Sequence, residues 1–225
     1  MKIHSKAVKI TVFSIVFLFF ILPPLFNTKS PSLVFSSWSF PLIQLILFFL
    51  SLLLLYIDES LFFDFKSQKG SLSYRLIFPA VFCLCLLFSI SFLINGLSII
   101  ISHNTIQEEI TPPSNFKECI FCVLTFFFSA FYEESIYRFF LPESIKFFFL
   151  TCKPSLQKYL IYAGEIFTAL LFAFSHRYAG IFSVINALLA HIVLRLCLKK
   201  TGSIYAGFTA HFIYNITAFT LLSLN

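Results

Sequence analysis

Long apolar runs alternate with short polar connections along this chain. A membrane-crossing helix needs roughly 20 mainly apolar residues. Seven segments have that character: about Ala7–Phe26, Phe40–Ile57, Leu76–Ser102, Phe116–Leu141, Tyr159–Ser175, Ala179–Leu198 and Ser203–Leu224. Between them lie a Ser/Pro-rich connection (Asn27 to Ser39), a polar one (Asp58 to Arg75) and an acidic one holding Pro112-Pro113 (His103 to Asn115). Pro142 to Lys158 is mixed and reads as a segment along the interface. The pattern predicts an all-α polytopic transmembrane bundle of about seven spans, with no internal repeat.

Composition strengthens that picture. Of 225 residues, 59% are hydrophobic and 12% charged, and the mean hydropathy is +0.92. Soluble domains run nearer 45–50% apolar and about 25% charged. The net charge of +6 would suggest a nucleic-acid partner in a soluble protein. Here the basic residues fall mostly between apolar runs, so they are read as orientation signals and no nucleic-acid partner is expected. With the N-terminus cytoplasmic, the inner connections hold Lys2, Lys6, Lys9, Lys66, Lys69, Arg75, Lys146, Lys153, Lys158, Lys199 and Lys200. The outer ones hold Lys29, Lys117 and Arg177, an asymmetry of eleven to three. The first segment has a basic start but no A-x-A-like cleavage site, so it reads as a retained helix. Among six cysteines, Cys119 and Cys122 form C-x-x-C without a second pair at zinc-ribbon spacing. They read as small apolar residues.

Charged and polar groups inside the spans carry the functional information, because burying them in a bilayer is costly. The fourth span contains Glu133, Glu134 and Arg138. Glu134 and Arg138 are four apart and share an α-helical face. Glu133 points about 100° away, on the face of Tyr137, and is expected to lack a local cation. An unpaired carboxylate in apolar surroundings is a candidate general base. The bland alternative is a folding clasp or a cluster at the water interface. His211 and Asn215 share a face of the seventh span, and His176 ends the fifth. Alone, each reads as an interhelical or interfacial polar group. Together they put three polar clusters on three helices that a bundle can bring to one place. Glu165, Asn186, His191 and Arg195 are further polar residues in the spans and read as interhelical hydrogen-bonding groups.

The ordered set Glu133-Glu134-x-x-x-Arg138, Phe172-x-x-x-His176 and His211-x-x-x-Asn215, with Thr201-Gly202-Ser203 leading into the last, resembles the CPBP family (CAAX proteases and bacteriocin-processing enzymes, also called the Abi family). The resemblance covers about Phe116 to Thr217. Residues 116–225 are thus expected to form a catalytic helical core, and residues 1–115 three further transmembrane helices with no assignment. The resemblance implies an intramembrane endopeptidase, in the bacterial cytoplasmic membrane, acting on a membrane-associated protein or peptide. Carried over, Glu133 activates a water, Glu134 supports the site with Arg138 holding it, and His176 positions the water. His211 and Asn215 stabilise the oxyanion. Metalloprotease is a common label for the family, and Zn²⁺ on Glu134, His176 and His211 would be an acceptable ligand set with water as the fourth ligand. Glu134 would then have to give up Arg138, and no H-E-x-x-H is present, so the reading favours Glu/His chemistry without a metal.

The alternatives are a non-enzymatic immunity or scaffold protein of the same fold, and a small proton-coupled transporter. The latter lacks the repeated halves that many transporters show. Two departures stand out. Phe139-Phe140 follow the motif arginine where the family usually has a small residue. The span boundaries also put His176 near the outer end of the fifth span and Glu133 toward the inner side of the fourth.

Overall fold

The structure, a computed structural model, describes residues 6–26, 35, 39–57, 76–102, 112–150 and 152–223. Lys2, Lys29, Lys66, Lys69 and Arg75, which enter the charge asymmetry, lie outside the described residues. Among the described residues, seven helical rods follow one another. Rod α1 comprises Lys6–Val16, a π-helical turn Phe17–Ile21 and Leu22–Phe26. Next come α2 (Ser39–Ile57) and α3 (Phe78–Ser102). Rod α4 comprises Phe116–Glu133, a π-helical run Glu134–Phe140 and Leu141–Phe149. Then come α5 (Pro154–Ser175), α6 (Ile181–Thr201) and α7 (Ile204–Ser223). Five of them are long and apolar enough to cross a membrane: Lys9–Phe26, Phe78–Ile101, Phe116–Phe149, Pro154–Ser175 and Ile181–Thr201. In α2 the apolar stretch is the shorter Pro41–Leu54.

The bundle is inverted relative to a water-soluble one. Phe19, Phe92, Ile100 and Phe116 are each more than two-thirds exposed, while Glu134, Arg138, His191, Arg195 and His211 are buried. Apolar side chains facing outward are what a lipid solvent requires. Charged groups collected inside can neutralise one another. Rod α4 is central: α2 packs along its first half, and α5, α6 and α7 all touch its π-helical run. Rod α3 packs against α6 and α7. Edge-to-face Phe contacts fill the seam between α4 and α7, with Phe127 5.1 Å from Phe208 and 5.4 Å from Phe212.

Local chemistry explains where α4 begins. The Asn115 side chain accepts from the Glu118 N–H at 3.0 Å, and Glu118 accepts in return from the Ser114 N–H at 2.7 Å. This is a reciprocal cap over the first turn. The expected interfacial segment from Pro142 is corrected by the structure. Rod α4 runs through Pro142 to Phe149, 34 residues in all, and α5 begins at Pro154 rather than near Tyr159. Pro154 takes the first helical position, where its missing N–H costs nothing.

A helix passes a proline only if the carbonyl four residues earlier finds another donor. Two such solutions occur. Pro24 cannot donate to the carbonyl of Phe20, and the Tyr132 hydroxyl donates to it at 3.3 Å. Pro142 cannot donate to the carbonyl of Arg138, and Arg195 Nη1 donates to it at 2.7 Å. A π-helical turn precedes the proline in both cases. The backbone N–H of Leu22 bonds to Phe17 O, and that of Leu141 bonds to Ile136 O.

Gly202, at φ +67°, ends α6, and its N–H bonds back to Leu198 O at 2.8 Å. Ser203 Oγ then accepts from the Tyr205 N–H at 3.3 Å as α7 opens. The Thr201-Gly202-Ser203 stretch is therefore the turn that delivers α7 to the interior.

Candidate active site

Glu133 and Glu134 sit at the junction where α4 changes from α- to π-helical pitch. In an α-helix residues 133 and 138 are about 140° apart. The i→i+5 bonding of a π-helix widens the turn, so residues five apart lie closer to one face than they do in an α-helix. Arg138 therefore meets both carboxylates, with Nε 3.4 Å from Glu134 Oε1 and Nη1 3.9 Å from Glu133 Oε2. The expectation that Glu133 lacks a local cation is corrected here, since it presumed uninterrupted α-helical pitch. Glu133 also accepts from Ser129 Oγ at 3.0 Å. Glu134 and Arg138 have side chains only 2% and 1% exposed, whereas Glu133 is 18% exposed, so the first glutamate is the one with access to the outside of the cluster.

Rod α7 supplies His211. Its Nδ1 lies 2.9 Å from Glu134 Oε1, and its Nε2 lies 3.7 Å from Glu133 Oε2. A carboxylate accepts, so the Nδ1–H points at Glu134 and Nε2 is the nitrogen left for chemistry. At 3.7 Å the Nε2–Glu133 separation is too long for a direct hydrogen bond and suits a bridging water. The close approach of α7 depends on Gly207: a Cβ there would lie 2.9 Å from Glu134 Oε2.

His176 closes α5, with φ −98° and ψ 9°. Its Nδ1 is 2.9 Å from Phe172 O. A carbonyl only accepts, so Nδ1 carries the hydrogen and Nε2 is free. The Phe172 ring joins His176 to the charged cluster. Arg138 Cζ sits 3.7 Å above its centroid, and the His176 ring is 4.6 Å away. The mismatch between the expected depths of His176 and Glu133 is resolved by the length of α4. Because the rod runs on to Phe149, Glu133 lies near its midpoint.

Glu133, Glu134, Arg138, His176 and His211 are thus gathered from α4, α5 and α7. Asn215 stands one turn beyond His211, half-buried, and the contacts that join the other five do not include it. As placed, the Glu134, His176 and His211 side chains do not converge as a metal-ligand set. Glu134 is engaged by Arg138 and by His211 Nδ1. Among the described residues no three His, Cys, Asp or Glu side chains gather as metal ligands do.

Three further residues contribute to the arrangement. Ser129 and Gly207 each lie four residues before a motif residue, so helical spacing marks them. Arg195, read as an interhelical polar group, is one, binding Glu165 and Glu143 as well as the Arg138 carbonyl. His191 is 2% exposed and 5.6 Å from the Phe172 ring, with neither ring nitrogen hydrogen-bonded.

Residues 115–217 match the protein-family model described as type II CAAX prenyl endopeptidase Rce1-like. No curated protein and no solved structure matches the chain. The matched interval holds the double glutamate, the arginine, both motif histidines and the asparagine. Over residues 115–217, a little under half of its length, this all-α membrane protein is similar to the Rce1-like family of CAAX proteases.

Proposed function

We propose that the protein is an intramembrane endopeptidase that hydrolyses a peptide bond of a membrane-associated protein or peptide with a water activated by Glu133. The observation that carries this reading is the placement of Glu133. It is the more exposed of the two carboxylates, and it faces His211 Nε2 across 3.7 Å. A water held between them has an acceptor for its proton on one side. Glu134 fixes the His211 ring through Nδ1 and shares Arg138 with Glu133, so the pair is oriented before substrate arrives.

Peptide hydrolysis then needs donors for the developing oxyanion and a proton for the leaving amine. His211, donating from Nε2 when protonated, and Asn215, one turn further along α7, are assigned to the oxyanion. His176, with Nε2 free, is assigned to positioning the water. Glu133, having taken the water's proton, passes it to the amine. The steps use the chain's own side chains and none is routed through a metal.

The test is cleavage of a reporter peptide in membranes. Glu133→Gln should lower kcat by about 10²–10⁴-fold, the range for loss of a general base. His211→Ala should cost about 10²–10³-fold, the range for loss of an oxyanion donor. Wild-type activity should persist after exhaustive chelation. Cleavage by both variants at the wild-type rate would sink the protease assignment. Loss of activity on chelation, restored by added Zn²⁺, would replace the metal-free mechanism.

A further inference from the structure

The carbonyl of Arg138 is a meeting point in the bundle. Pro142, four residues on, brings it no N–H, and Arg195 Nη1 from α6 occupies the position at 2.7 Å. Arg195 is itself fixed. Its Nε and Nη2 grip Glu165 at 2.9 and 2.6 Å, and Nη2 also reaches Glu143 at 3.0 Å. Fixed in this way, Arg195 is a rigid donor, 6% exposed, that reaches from a neighbouring helix into the backbone of α4. The carbonyl it caps belongs to the residue whose guanidinium holds both candidate catalytic carboxylates. That double contact falls where the rod is π-helical, over Glu134–Phe140.

We propose that Arg195 is a positioning residue for the carboxylate pair. By capping the carbonyl that Pro142 leaves open, it holds the π-helical run in the register that sets Arg138 against both Glu133 and Glu134. What the pair does chemically rests on the protease reading above. The geometry does not. The competing account makes Arg195 a plain interhelical clasp, and the surroundings allow the two to be separated. Each acidic partner of Arg195 has a second cation, with Lys199 Nζ 2.9 Å from Glu165 and Lys146 Nζ 3.3 Å from Glu143. The Arg138 carbonyl, by contrast, takes its side-chain donor from Arg195 alone among the described residues, and proline at position 142 offers it no N–H.

The experiment compares full-length wild type, Arg195→Gln, Pro142→Ala, the double variant and Glu165→Gln in membranes, with kcat and KM measured separately. Arg195→Gln should lower kcat about tenfold with KM unchanged, the scale of one charge-assisted hydrogen bond. Measured against Pro142→Ala, the same substitution should cost no more than about twofold, because the alanine N–H can take the carbonyl. Glu165→Gln should keep kcat within about twofold, since Arg195 retains its bond to the backbone. If Arg195→Gln does not accumulate in membranes, Arg195→Lys with and without Pro142→Ala makes the same comparison.

A readout independent of turnover is the Arg138 Nε signal in arginine-selective ¹⁵N spectra, tractable because the chain has four arginines. The signal should move in Arg195→Gln and move back in the double variant. If even the wild type does not cleave, the protease reading fails and the spectra still decide this proposal. An Arg138 signal unmoved by Arg195→Gln overturns it. So does a kcat loss of equal size in both backgrounds, or an equal loss in Glu165→Gln.

Discussion

Gly207 sets the tolerance of the site at the scale of single residues. A Cβ at this position would lie 2.9 Å from Glu134 Oε2 and 3.7 Å from Leu194 Cδ2. The carboxylate cannot simply swing aside, because His211 Nδ1 and Arg138 Nε hold its other oxygen at 2.9 and 3.4 Å. Gly207→Ala should therefore disturb the Glu134–His211 contact while gaining a little helix propensity. The expected result is a kcat about tenfold lower or worse, since small misplacements of catalytic groups are costly, with a melting temperature in detergent close to wild type. Unchanged kcat would mean that the Glu134–His211 contact does not set the rate. Residue spacing alone made part of this legible. Glu134 with Arg138, and His211 with Asn215, were each predicted to share a helical face. The second contact of Arg138, with Glu133, was not legible, because it depends on a change of helical pitch that no pair of residue types announces.

At the scale of elements, α4 shows why a local rule failed. Pro142 argues for a helix end when only its neighbours are considered. The donor that lets the helix continue, Arg195, stands 57 residues further along the chain. The reciprocal cap at Asn115 and Glu118 is local, and the start of α4 near Phe116 is accordingly legible in the sequence. The same contrast suggests a stability test. Arg195, Glu143, Glu165 and Lys199 tie α4, α5 and α6 together, and the Glu165 side chain is 19% exposed while that of Lys199 is 47% exposed. The more exposed pair is better solvated and contributes less. Glu165→Gln should then destabilise the bundle by about 2 kcal/mol, the order of hydrogen bonds to a charged group. Lys199→Gln should cost under about 1 kcal/mol. Thermal unfolding in one detergent reads both. Equal losses would show that the buried fork on Arg195 is not what stabilises this junction.

At the scale of the whole molecule, the bundle gives the charge asymmetry a physical place. The network from Glu143 through Arg195 and Glu165 to Lys199 joins the end of α4, the middle of α5 and the end of α6. Lys146, Lys153, Lys158, Lys199 and Lys200 are therefore carried toward one end of the molecule, while Lys117 opens α4 and Arg177 follows α5 at the other. Membrane proteins keep clustered Lys and Arg in cytoplasmic connections, so the Lys-rich end should face the cytoplasm. Rod α7 leaves that same end through the Gly202 turn and runs 20 residues. At about 1.5 Å per residue this is close to the roughly 30 Å of a hydrocarbon core. His211 is accommodated because it is buried against α4, and the exposed Thr209 and Thr220 hydroxyls donate to carbonyls of their own helix. Ser223 should accordingly emerge on the far side. Single-cysteine variants at Arg177, Lys200 and Ser223, made with the six native cysteines replaced, test this with a membrane-impermeant thiol reagent. Positions 177 and 223 should react in intact cells, and position 200 only after permeabilisation. The opposite pattern would invert the molecule. Reaction at 200 and 223 together would show that α7 turns back without crossing, leaving its histidine in a helix that enters and leaves on the same side.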